Sequence, residues 1–112
     1  MNINDIIQIL DDTTKELSAT LKKKSSDYTG GEKSVDPFAN FRATEVLGVD
    51  PVIGIMMRIM DKIQRIRSFV NDGRLKVSNE SVYDAFDDII GYTILAKAMM
   101  IQKRQEGGAE KI

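Results

Sequence analysis

The stretch DPVIGIMMRIMDKIQRIRSFVNDG, residues 50–73, decides the fold. Asp50 is a strong N-cap residue, and Pro51 suits the first helical position, where a missing N–H is no loss. Val52, Ile53, Ile55, Met56, Ile59, Met60, Ile63, Ile66, Phe69 and Val70 recur at helical spacing. Asn71-Asp72-Gly73 supplies the stop, so the helix is predicted to run to about Val70. Its apolar residues cover more than one face, which predicts a central helix or one buried on two sides by an oligomer. Arg58, Lys62 and Arg65, spaced by four and three, form one basic stripe along it.

Downstream, Arg74 to Val77 reads as a short extended connector. A further long helix is predicted from Ser78 or Asn79 to about Gln105, ended by Gly107 and Gly108. Val82, Phe86, Ile89, Thr93, Ala96 and Met100 make its apolar stripe, widened by Ala85, Ile90, Leu95 and Met99. Upstream, Asn2 or Asn4 can cap a first helix carrying Ile6, Ile7, Leu10, Leu17 and Leu21. Asp5 in its first turn and Lys22, Lys23 and Lys24 in its last would complement the helix dipole. Between them lies SSDYTGGEKSVDP, residues 25–37, a loop by composition. Its GGEKS is not a phosphate loop, because Glu32 replaces the required glycine and no strand precedes it. Ala39 to Leu47 can add two helical turns ended by Gly48.

The fold class is therefore all-α, a compact bundle of three long helices and one short one. A single domain is expected over residues 1–106, with a frayed tail at 107–112. Three such helices enclose a modest core, so the Ile and Met excess on the last two predicts a homo-oligomer.

Composition narrows the chemistry. The 112 residues include no histidine, cysteine or tryptophan. Imidazole bases, thiolate nucleophiles, disulfides and Cys/His zinc sites are excluded. Any catalysis must use acids, amines, hydroxyls or an oxygen-ligated metal. With 16 basic and 17 acidic side chains the net charge is −1, which argues against duplex nucleic acid as a partner. Arg58 and Lys97 interrupt the longest apolar stretches, so no membrane span is expected. The N-terminus lacks a basic n-region, so the expected location is the cytoplasm.

Two constellations could carry function. Glu80, Asp84 and Asp88 are spaced by four, which would stack three carboxylates on one helical face with Asp87 beside them. Magnesium, needing one or two carboxylates plus substrate phosphates, would resolve their repulsion. An ion-pair lattice with Arg58, Lys62 and Arg65 would do so equally well. In and after the loop, Tyr28, Phe38 and Phe41 offer rings for stacking on a base, and Asn40 an amide for its edge. The alternative is that both phenylalanines plug the core. Arg42 flanks this region and could touch phosphate or ribose, and Lys24 could steer phosphate.

Four motifs in order then carry a resemblance: K-x-x-D-Y-x-G at Lys24 to Gly30, D-P-F-A-N-F-R at Asp36 to Arg42, R-I-M-D-K-I-Q-R-I at Arg58 to Ile66, and E-S-V-Y-D-A-F-D-D-I-I-G-Y at Glu80 to Tyr92. Over Lys24 to Ala98 the chain resembles the phage-associated nucleotide modification associated domain 1 family. That family is similar to the all-α nucleotide pyrophosphohydrolases of the MazG and dUTPase kind. The resemblance implies a nucleotide-linked role, an often oligomeric all-α fold and, if phage-encoded, a bacterial host cytoplasm. MazG-type enzymes carry an E-E-x-x-E cluster on the earlier helix, whereas this chain has Arg58, Asp61, Lys62 and Arg65 there.

Three functions follow as expectations. The first is a protein that holds a nucleotide or cyclic-nucleotide signal and so sequesters it from a host defence. Arg58, Lys62, Arg65 and Lys24 would take phosphate, and Tyr28, Phe38, Asn40, Phe41 and Arg42 the base and ribose. The second is a magnesium-dependent nucleoside triphosphate pyrophosphohydrolase, with Glu80, Asp84 and Asp88 on the metal and metal-bound water as nucleophile. The third is a helical protein-interaction module without a small ligand.

Overall fold

A computed structural model of the chain describes residues 1–28, 38–73 and 81–107, with side chains to Ser25 in the first stretch. Among them are four helices and no strand, the all-α class that the periodicity predicts. The chain divides into two compact units, Met1–Asn40 and Phe41–Ile112.

The first unit is built on α1, Ile3–Tyr28. Asn2 is its cap. The Asp5 N–H donates to Asn2 Oδ1 at 3.1 Å, and the Asn2 N–H donates to Asp5 Oδ2 at 2.8 Å. This reciprocal box satisfies two backbone donors that a helix start otherwise leaves open. The helix continues four residues into the expected loop, because the first strong breaker is Gly30. Lys22, Lys23 and Lys24 thus lie a turn before its end, correcting their placement in the last turn. Leu17 and Leu21 are half-buried, while Ile6, Ile7 and Leu10 are exposed.

The second unit holds α2 (Pro51–Asp72), α3 (Val82–Gln105) and, before them, the short 3-10 helix α0 (Phe41–Leu47). α2 starts where Asp50 Oδ1 accepts from the Val52 N–H at 2.8 Å. It stops at Gly73, whose φ of 73° only glycine adopts without strain and whose N–H reaches Phe69 O. α3 is described from Val82; the expected start at Ser78 or Asn79 lies outside the described residues. Ser81 is extended and caps it, its Oγ accepting from the Asp84 N–H while Asp84 Oδ2 accepts from the Ser81 N–H. The S-x-x-D pattern that fixes this start is present in the sequence. Residues 29–37, residues 74–80 with the expected connector and Glu80, and the tail from 108 lie outside the described residues.

α2 and α3 pack along one another in antiparallel order. Asp50 at the start of α2 meets Lys103 near the end of α3, and Lys62 meets Asp88. Between them lie the buried side chains Ile55, Ala85, Leu95 and Met99, with Phe41 of α0 also buried. α0 seats closely on α2 at Gly54, where an added Cβ would stand 2.9 Å from Thr44 Cγ2.

Candidate functional site

The antiparallel register distributes the basic stripe. Each step of four back along α2 is met by a step of four forward along α3. Lys62 Nζ lies 2.9 Å from Asp88 Oδ2, with its side chain 13% exposed. One turn earlier, Arg58 meets Tyr92 instead of an acid. Its guanidinium carbon stands 4.9 Å from the Phe41 ring centroid and 5.9 Å from that of Tyr92, both within cation–π range. Arg65 pairs within its own helix, Nη2 to Asp61 Oδ2 at 3.2 Å.

The three cations of the stripe therefore differ. Lys62 and Arg65 have carboxylates beside them, which neutralise their charge locally. Arg58 is exposed and held by aromatic faces. A guanidinium stacked on a ring keeps its N–H edge open, and that edge matches the oxygens of a phosphate in bidentate fashion.

The acidic cluster is dispersed. Asp84 is exposed and committed to the capping box, and Asp88 lies against Lys62. Glu80 lies outside the described residues. Asp87 is half-buried and partnered. Among the described residues, no three acidic side chains come together as a cation cage.

Phe38 and Phe41 are 6% and 2% exposed, so neither presents a free face to a nucleobase, contrary to the stacking expectation. Phe41 acts from below, as the surface under Arg58. Lys24 and Asn40 are exposed in the first unit, and the Tyr28 side chain lies outside the described residues. Arg42 donates from Nη2 to Gln102 Oε1 at 3.2 Å and stands 3.7 Å from Glu45. It borders a cavity of about 150 Å³ that Asp50, Met99 and Lys103 also line. Lys103 Nζ donates to Asp50 Oδ2 at 3.0 Å. This bond, then the Val52 N–H, holds the Asp50 carboxyl below its ordinary range. The cavity's cations and acids thus largely answer one another.

Reading the residues alone missed Tyr92 as a site residue. The signal was available, since Tyr92 follows Asp88 by four and so continues the stripe of Asp84 and Asp88.

Comparison with known families bears on this same hairpin. Residues 52–102 match the nucleotide modification associated domain 1 family. The matched stretch takes in α2 and α3 and with them Arg58, Lys62, Arg65, Asp84, Asp88 and Tyr92. It does not extend to the Lys24–Gly30 and Asp36–Arg42 motifs, so the resemblance holds over a shorter span than Lys24 to Ala98. The family's description speaks of nucleotide modification and of neither pyrophosphate cleavage nor phage. No curated protein and no solved structure matches the chain.

Proposed function

We propose that the α2–α3 hairpin holds a nucleotide, with Arg58 as its phosphate contact. The observation that carries this reading is the guanidinium over Phe41 and Tyr92, oriented by rings and, among the described residues, without a carboxylate opposite it. The ring contact limits the rotamers Arg58 must lose on binding, which favours capture. Lys62 and Arg65 add a weaker positive field, since Asp88 and Asp61 offset them. The match of this hairpin to a nucleotide-linked family supports the ligand class.

The reading is of capture without turnover, in which a linear or cyclic nucleotide is retained intact, as in sequestration of a nucleotide signal. Magnesium-dependent pyrophosphohydrolysis is less well supported. It would require Asp88 to leave Lys62 and Asp84 to leave the α3 cap before either could serve a metal.

The test is equilibrium dialysis of the full chain against nucleoside triphosphates and cyclic dinucleotides, with mass spectrometry of whatever co-purifies. Loss of a charge-assisted phosphate contact is worth about 1.5–3 kcal/mol, so Arg58→Ala is expected to weaken binding roughly 10- to 100-fold. Arg58→Lys is expected to recover part of it, the charge without the fork. Undiminished binding by Arg58→Ala, or recovery of hydrolysed nucleotide only, would overturn the reading.

A further inference from the structure

The chain has no cysteine and no histidine, so the thioethers of its methionines are its soft metal donors. Three of them, Met56, Met57 and Met60, fall within little more than one turn of α2. Methionine is among the residues most often fully buried. Met99 follows that rule at 4% exposed, whereas Met56, Met57 and Met60 are 52%, 63% and 53% exposed. The core side of α2 is built without them. Buried Ile55 lies about 150° around the helix from the middle of the three.

At about 100° per residue, Met60 falls between Met56 and Met57 in rotation. The three therefore occupy about 100° of circumference and about 6 Å of axis. Met56 and Met60 are four apart, and Met57 and Met60 three apart, spacings that put Cβ atoms about 5–6 Å from one another. Each Sδ sits two bonds beyond its Cβ on an unbranched, adaptable side chain. The three sulfurs can thus close on one atom held above the helix. Ile53 and Ile63, on the same face one turn before and one turn after, bracket that point with apolar surface. Arg58 and Lys62 project about 150–170° away from it, which keeps their charge off a bound cation.

We infer that Met56, Met57 and Met60 form a three-thioether site for a soft monovalent cation of the Cu(I) class. Neutral sulfur suits such an ion, whereas magnesium and calcium take carboxylate and carbonyl oxygens. A purely apolar contact surface would need the bulk of these side chains and not their sulfur, and leucine supplies that bulk. The site is independent of the nucleotide reading, because Arg58 lies on another side of α2.

The experiment is titration of the full chain with Ag(I), a soft stand-in for Cu(I) that avoids redox chemistry, in chloride-free buffer. It is read by calorimetry and by the methyl NMR signals of the methionines. One Ag(I) per chain is expected. The methyls of Met56, Met57 and Met60 are expected to shift together and saturate at one equivalent, with Met99 and Met100 unmoved. Met57→Leu and Met60→Leu keep side-chain volume and helix propensity, so circular dichroism is expected to be unchanged. Each is expected to weaken Ag(I) binding at least by the roughly 10- to 100-fold that loss of a supporting outer-shell partner costs a metal site. Met100→Leu is expected to leave binding as it was, and Mg(II) or Zn(II) to leave the three methyls in place. Undiminished Ag(I) affinity in both α2 variants, an equal loss in Met100→Leu, separate midpoints for the three methyls, or displacement of Ag(I) by Zn(II) would overturn the inference.

Discussion

Gly54 offers the sharpest test of how α0 is seated on α2. Glycine inside a helix costs about 1 kcal/mol relative to alanine, so Gly54→Ala should stabilise α2 if nothing stood in the way. Here the new Cβ would lie 2.9 Å from Thr44 Cγ2, closer than carbon atoms pack, and 3.4 Å from its Oγ1. Thr44 cannot swing aside freely, because its hydroxyl donates to Phe41 O at 3.2 Å. Rotating it gives up that bond, worth about 0.5–1.5 kcal/mol, and keeping it leaves an overpacked contact of about 1–3 kcal/mol. Gly54→Ala alone is therefore expected to destabilise by about 1 kcal/mol once the helix gain is subtracted. Thr44→Ser removes the atom at 2.9 Å and keeps the hydroxyl. In that background the same Gly54→Ala should stabilise by about 0.5–1 kcal/mol. The measurement is urea unfolding of the four proteins of the cycle, followed by circular dichroism, where a sign reversal appears as a coupling of about 1.5–2 kcal/mol. Gly54→Ala stabilising equally in both backgrounds would refute the contact. Because α0 also brings Phe41 beneath Arg58, the clashing variant is expected to lose ligand affinity along with stability.

Two further outcomes follow from the ion pairs. Lys62→Met and Asp88→Asn are each expected to lose about 1–2 kcal/mol, between the values for exposed and buried pairs, and a double-mutant cycle should return a coupling near 1 kcal/mol. A coupling of zero would mean that the pair does not form in solution. The Asp50 carboxyl is held below its ordinary value of 3.8, so its contribution is present above that pH and is lost as pH falls through the lower folded value. The contribution is small, because the Lys103–Asp50 pair is well exposed. Asp50→Asn is expected to flatten the acid limb of stability measured from pH 5 down to about 2, and an unchanged acid limb would count against the bond.

What could be read from the residues was what depends on one helix at a time. The two-sided character of α2, its Asp50-Pro51 start and its Gly73 stop were legible because spacing and capping act locally. The stripe of Arg58, Lys62 and Arg65 was legible for the same reason. Which of the three lacks an acid was not, since that depends on the register of α3, which sets Asp88 at Lys62 and Tyr92 at Arg58. The start of α3 was legible in Ser81 and Asp84 but competed with the acidic run. A carboxylate at that spacing serves a cap as readily as a metal. Phe41 could be assigned to core or to ligand, and its burial under a guanidinium combines parts of both.

The bond between Asp50 and Lys103 ties the hairpin at the end away from the segment that joins α2 to α3. Loop closure disfavours contacts of long sequence separation, and this one spans 53 residues. If folding zips from the joined end, this tie is expected to form last, after the barrier is crossed. Its loss then appears in the rate of opening and hardly in the rate of closing. Being exposed, the tie adds a small increment to how long the hairpin stays shut once formed, and with it to how long Phe41, Tyr92 and Arg58 remain in register.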